Sequence, residues 1–366
     1  MTPKSEFFEL FSASVGHYGG LFNAHLHLDR SSTLAQKYLA HVGMNPLEAS
    51  GYPLRVKQNL TGDLHRGVAY ENDDLRRRMK DNLDLMISCG TIRADSFIDV
   101  SSDNVGMRAI DCALALKDEL KEKIDFRVGA YPIFGFKDSE PQRWELFVEA
   151  ARKADFMGLL PERDDKQYHP NHIGFDEHFR RTLALAHELK KPVHYHVDQA
   201  NDPREQGTET LIDAVRWLGS PKINEDGPAV WAVHSISPSG YGEDKFARMV
   251  DGLVKYNIGI ICCPTAAISM RQLRPITTPT HNSVARVLDF LAREVPVRLG
   301  SDNVADVFLP STTVDLTDEV HCLSNAIRFY NVDILAKLST GKMLTDMDRE
   351  LIGRFMEQDR KVFEKI

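Results

Sequence analysis

Short apolar runs alternate with amphipathic stretches along most of the chain. The first run, Leu21-Phe22-Asn23-Ala24-His25-Leu26, is entered through Gly19-Gly20. Residues 90–98, 124–131, 155–160, 192–197, 229–234, 258–263 and 297–300 repeat it, three of them stopped by Pro132, Pro161 and Pro264. Runs of this length bounded by breakers read as buried strands. Between them lie stretches with helical spacing, such as Leu75, Met79, Leu83 and Met86 within 73–88, or Phe179, Leu183 and Ala186 within 176–190. Further helices are predicted over 106–121, 143–153, 209–218, 244–256 and 283–294. Phe7, Phe8, Leu10 and Phe11 predict a short amphipathic helix within 1–18 that covers one end of the fold. The exception is the polar stretch 31–71, broken by Pro46, Gly51, Pro53 and Gly62, which reads as a loop with short helices.

Eight strands alternating with helices predict parallel pairing through right-handed crossovers, and eight units predict a closed (β/α)8 TIM-like barrel. A doubly wound open sheet shares the alternation but gives no reason for polar residues to finish so many strands. No linker or low-complexity segment divides the chain. Residues 1–366 therefore read as one barrel domain, with 1–18 as a helical cover and 315–366 as C-terminal helices.

Composition narrows the class without choosing a function. The 366 residues are 42% hydrophobic and 27% charged, with net charge −8. That balance is ordinary for a soluble globular protein and argues against nucleic acid or an anionic membrane as partner. No leader pattern or run of about 18 apolar residues occurs. The five cysteines (Cys89, Cys112, Cys262, Cys263 and Cys322) form no CxxC pair. Neither a disulfide framework nor a thiolate metal site is expected, and a reducing cytoplasm fits. The adjacent Cys262 and Cys263 read as core. No stretch identifies an oligomer interface, although homo-oligomers are common among soluble enzymes.

The chemistry gathers at strand ends. His25 and His27 stand two residues apart, so on a strand they share a face and can close on one metal ion. His196 finishes the fifth predicted strand and His234 the sixth, and Asp302 follows the eighth. In a (β/α)8 barrel the C-terminal strand ends form the active-site rim. One strand-end histidine is ordinarily a hydrogen-bonded rim residue; four strands bringing metal-type ligands to one rim are a site. His194 lies one layer below His196 and reads as packed core. His169, His172 and His281 fall in loops and read as solvated.

The ordered set His25-Leu-His27-Leu-Asp29, Ser96-Phe97-Ile98-Asp99, Val193-His194-Tyr195-His196-Val197-Asp198-Gln199, Ala232-Val233-His234, Cys263-Pro264 and Gly300-Ser301-Asp302-Asn303 resembles the amidohydrolase superfamily. The likeness is to its cytosine deaminase branch and spans roughly residues 20–330. It implies a distorted barrel in which His25, His27, His196 and Asp302 hold one divalent ion, zinc first, with iron, manganese or cobalt as alternatives. Asp302 would also take a proton from the attacking water, and His234 would hydrogen-bond the oxygen that gains charge. Two-metal relatives carry a carboxylated lysine after the fourth strand. Here that strand runs into Leu160-Pro161-Glu162, without a lysine, which favours one ion.

Two departures shape the expected reaction. The branch has a proton-carrying glutamate three residues after the fifth-strand histidine, where this chain has Gln199, preceded by Asp198. Glutamine cannot exchange a proton near neutral pH. Where the branch reads a pyrimidine edge after the third strand, this chain has Tyr131-Pro132-Ile133-Phe134, so cytosine itself is disfavoured. The chain also leaves no room for the β-sandwich that many relatives carry.

The sequence thus predicts a metal-dependent hydrolase that cleaves a C–N bond of a small cyclic amide or N-heterocycle. Gln199 stands in the catalytic place, and Glu162, Arg163, Phe134, Asp198 and the loop from Thr265 to Arg274 are candidates for substrate contact. One alternative is a deaminase of an aminated heterocycle with Asp198 or Glu162 as shuttle. Another is a non-catalytic metal- or ligand-binding barrel. Phosphoester or lactone hydrolysis is disfavoured, because phosphoester work more often uses paired ions.

Overall fold

Leu21–Leu26 (β1) is buried at every position, as a strand flanked on both faces must be. In the computed structural model, which describes residues 5–270 and 284–364, seven more strands follow it. They are Thr91–Asp99 (β2), Asp125–Tyr131 (β3), Phe156–Leu159 (β4), Val193–Val197 (β5), Val230–His234 (β6), Ile258–Cys262 (β7) and Val297–Leu299 (β8). All neighbours pair in parallel in the order β1 to β8, and a parallel bridge from Leu26 to Asp302 joins the first strand to the end of the last. The predicted (β/α)8 barrel is the observed one.

Closure depends on a close approach of β1 and the β8 end. Asp302 N donates to His25 O at 2.9 Å, and His27 N donates to Asp302 O at 3.1 Å. The Asn23 amide brackets Ser301 through two further hydrogen bonds of 2.8 and 3.1 Å. A Cβ on Gly300 would stand 2.6 Å from His25 Cβ, so the strands meet only because that residue is glycine. Closure and the metal-type residues are therefore the same stretch of backbone.

The apolar side chains form two clusters. The larger lies between strands and helices; the smaller fills the barrel interior with Phe22, Phe97, Phe156, Trp231 and their neighbours. Phe97 is the floor of the site, with its ring centroid 4.5 Å from that of His25 and 4.9 Å from that of His196. Gly158 on β4 makes room for it, since a Cβ there would lie 2.6 Å from the Phe97 ring.

Helices Arg108–Leu120, Gln142–Lys153, Phe175–Leu189, Gly207–Leu218, Glu243–Lys255 and Val287–Ala292 follow β2 to β7. The N-terminal helix Glu6–Tyr18 packs on Val332–Ser339, the penultimate helix, with Tyr18 Oη donating to Asp333 at 2.6 Å. The one clear difference from expectation lies in the polar stretch 31–71. It contains a regular helix, Leu54–Arg66, whose Leu60 and Leu64 are buried while its other face stays polar. The described residues form no second sheet. The five cysteines are unpaired, with Cys262 and Cys263 buried. No helix among the described residues is long and apolar enough to cross a membrane.

Candidate metal centre

Backbone geometry aims the rim residues inward. His25 ends β1, and His27 follows where the chain turns into the short helix Leu28–Arg30. His196 stands on β5. His234 and Asp302 have positive φ, at 78° and 59°, in the left-handed region that β-substituted residues rarely occupy. Such conformations cost roughly 1–3 kcal/mol each and persist only where surrounding structure enforces them. Here they let the strand ends turn sharply while their side chains stay in the barrel mouth.

The ligand atoms of His25, His196, His234 and Asp302 all lie within 4.8 Å of one another. His25 Nε2 is 3.3 Å and His27 Nε2 3.4 Å from Asp302 Oδ1, and His234 Nε2 is 4.0 Å from Asp302 Oδ2. The four expected ligands are drawn together, with His234 in the mutually close set where His27 was expected.

The donor set suits a divalent cation. Both ring nitrogens of His25 and the Nδ1 atoms of His27 and His234 are buried without a hydrogen-bond partner. Buried polar atoms are ordinarily satisfied, so a convergent group of unsatisfied ones points to a missing ligand. His196 Nδ1 lies 3.1 Å from the Leu159 carbonyl. Donation there leaves the Nε2 lone pair for an ion, the usual outer support of a metal-bound histidine. Burial lowers the pKa of His27 to about 3 and of His234 to about 4, and that of His196 well below its usual value. These rings are neutral, as ligation requires. Burial alone would raise the Asp302 pKa, but the imidazoles of His25 and His27 beside it hold the carboxyl well below its usual range. It is ionised.

A cleft with a cavity volume of about 40 Å³ opens above this group towards solvent. His27, His196, His234, Asp302 and Gln199 line its metal end, and Tyr131, Ile133, Leu160, Arg30, Lys57, Gln58, Asn303 and Phe308 line the rest.

No family model matches the chain. An uncharacterised protein of Haemophilus influenzae is 27% identical over 266 residues, which cover 73% of this chain and 88% of that protein. The 5-methylcytosine deaminase of Klebsiella pneumoniae, solved with 5-fluorocytosine, is similar with TM-score 0.74 and 20% identity, over 88% of this chain and 73% of that one. The atrazine chlorohydrolase of Arthrobacter aurescens, solved with zinc, gives TM-score 0.55 and 15% identity over 92% and 71%. What these structures share with the chain is the (β/α)8 barrel fold.

Within this barrel the predicted substrate residues separate. Gln199 lines the cleft and donates from Nε2 to Glu162 Oε2 at 2.6 Å, which puts Glu162 one hydrogen bond behind it. Burial, opposed by that bond and reinforced by Asp198, raises the Glu162 pKa to about 7. Asp198 does not serve the cleft. Its carboxylate accepts from Gly207 N at 2.6 Å and Thr208 N at 2.8 Å, satisfying the first turn of the helix Gly207–Leu218. Phe134 packs its ring 5.3 Å from that of His65, and Arg163 is buried; neither lines the cleft. Both were expected there because the loops after β3 and β4 reach the rim, but these side chains turn into the rim's support.

His194 stacks on Phe156 at 4.5 Å as a core residue. His172 pairs with Asp164 at 2.8 Å, and neither it nor His169 lines the cleft. Of the loop from Thr265 to Arg274, Ala266, Ser269 and Met270 line the cleft, whereas 271–274 and His281 lie outside the described residues. Sequence reasoning missed Arg30, Lys57, Gln58, Asn303 and Phe308. Two signals were present: Arg30 sits three residues after His27, and Lys57-Gln58 lies on one turn of the unexpected helix.

Proposed function

We propose that the protein is a metal-dependent hydrolase that cleaves a C–N bond of a small cyclic amide or N-heterocycle. The reading is carried by the imidazoles gathered round the ionised Asp302 at the floor of an open cleft. His25, His27, His196 and Asp302 would hold one divalent ion, zinc first. His234 stands beside the same set. A bound divalent ion supplies Lewis acidity and lowers the pKa of a coordinated water to about 7. The absence of a lysine in β4 supports a single ion.

The chain's own groups do the rest. Asp302, held ionised, accepts the proton that the attacking water gives up. His234, 4.0 Å from Asp302, hydrogen-bonds the oxygen on which charge develops. Gln199 is anchored through its NH₂ on Glu162, so its carbonyl oxygen is left to accept from a ring N–H. That polarity favours a cyclic amide over cytosine. Tyr131 and Ile133 give the ring an apolar wall. We place the enzyme in the cytoplasm, on its unpaired cysteines, and read 1–366 as one barrel domain.

One observation favours a second reading. With a pKa near 7, Glu162 can exchange protons at neutral pH, so it and not Asp198 would be the shuttle of a deaminase. The test is turnover of the metal-loaded protein on cyclic amides and imides beside aminopyrimidines, aminopurines and aminotriazines. Ring opening without ammonia supports the leading reading, and ammonia release supports the second. Bound metal with no turnover across the panel leaves a non-catalytic barrel. His27→Ala is expected to abolish activity with either substrate class.

A further inference from the structure

Arg30 lines the cleft although only 3% of the residue is exposed. A guanidinium carries five donors, and buried donors are ordinarily satisfied. Here neither Nε nor Nη1 has a hydrogen-bond partner. Asp29 and Asp99 each commit Oδ2 elsewhere, while Oδ1 of each accepts no hydrogen bond. Asp29 Oδ2 accepts from Asp99 N at 2.8 Å and Tyr70 Oη at 3.0 Å. Asp99 Oδ2 pairs with Tyr70 Oη at 2.8 Å and His65 Nε2 at 3.0 Å. Asp306 accepts from Phe308 N, Leu309 N and Asn303 Nδ2. The nearest approach to Arg30 is Asp99 Oδ1, 4.0 Å from Nη1. At that distance the pair balances charge without a hydrogen bond, so Nε and Nη1 keep their donors unused.

The surroundings hold that guanidinium in place. Its central carbon lies 5.0 Å from the centroid of the Phe308 ring. Lys57 Nζ, which donates to the Phe308 carbonyl at 2.9 Å, brings a second cation to the same wall. Two cations on one side of a cleft, one of them a guanidinium, match a carboxylate, which a guanidinium can bind with two parallel hydrogen bonds.

We propose that Arg30 and Lys57 form a subsite for an anionic substituent, so that the substrate is a cyclic amide or N-heterocycle bearing a carboxylate. The inference rests on the hydrolase reading for where the ring sits, and its test reads binding apart from turnover. An uncharged analogue would leave the buried donors unpaired, and such sites discriminate strongly.

The experiment is calorimetric titration of the full chain, with and without added zinc, using two matched pairs: hydantoin-5-acetic acid and its amide, and 5-carboxycytosine and its amide. At least one acid is expected to bind about tenfold or more tightly than its amide, with the preference shrinking at high salt. Arg30→Gln is expected to erase the preference while metal content stays unchanged. Because Arg30 is buried, Lys57→Gln is the second variant, and a several-fold weaker preference is expected of it. Equal binding of acids and amides, no binding by either acid, or a preference that survives both substitutions would overturn the subsite. Acid preference without hydrolysis removes the hydrolase reading and keeps the subsite; equal hydrolysis of acids and amides does the reverse.

Discussion

Gln199 is the residue on which the chemistry turns. A glutamine in the proton carrier's place reads, from sequence, as lost or altered catalysis. The structure puts a carboxylic acid with a pKa near 7 one hydrogen bond behind it. That arrangement depends on how the loop after β4 meets the loop after β5, which spacing along the chain does not encode. If Glu162 takes part in the reaction, the wild-type rate has a pH limb near 7 that is missing from Glu162→Gln, with kcat reduced by about 10². A Glu162→Gln profile that keeps the limb would remove Glu162 from the chemistry.

His65 gives a second residue-scale prediction. Burial disfavours its charge, but hydrogen bonds to Asp103 at 2.7 Å and Asp99 at 3.0 Å raise its pKa to about 9. A folded pKa above the unfolded one contributes stability that is complete below about 6.5 and lost as pH rises through about 9. Urea unfolding should therefore show the gap between wild type and His65→Gln closing from pH 6 to pH 9.5. A gap that widens would contradict the assignment. His25, His27, His196, His234 and Asp302 were legible as candidates because each lies at or just beyond a strand's C-terminal end. Arg30 was not, because nothing in a sequence distinguishes a guanidinium with spare donors from an ion-paired one.

At the scale of elements, the eight strands were legible because each is a short apolar run between breakers, and parallel barrel strands are buried on both faces. The helix Leu54–Arg66 was not, because it follows Pro53 within a polar stretch and contains Gly62, a poor helix former. It carries Lys57 and Gln58 to the cleft, so misreading one element hid two residues. Asp198 shows the converse: a carboxylate beside the motif, in a catalytic-looking place, is a helix cap. Asp198→Ala should cost about 1–2 kcal/mol of stability in thermal or urea unfolding and leave metal stoichiometry intact. Loss of metal in a folded Asp198→Ala protein would return it to the site. Gly158→Ala tests the floor. Its new Cβ would press on Phe97, which supports His25 and His196, so about 1–3 kcal/mol of destabilisation should come with weakened metal retention. Unchanged metal affinity would show that Phe97 does not position the histidines.

For the whole molecule, closing the barrel and building the site are one event. The bridge between β1 and the β8 end is formed by Leu26 and Asp302, and the flanking hydrogen bonds run from Asp302 to the backbones of His25 and His27. A bound ion would tie the same two ends together, so its loss should lower the melting temperature as well as activity. The barrel could be counted from sequence. How β8 returns to β1 is set by a glycine contact and the positive φ of Asp302, which no periodicity reports. The most direct test is elemental analysis of the purified protein beside a His25→Ala, His27→Ala variant. One divalent ion per chain, lost in the folded variant, is the predicted result. No metal in the wild type after incubation with zinc, manganese or iron would contradict the metal centre and the hydrolase built on it.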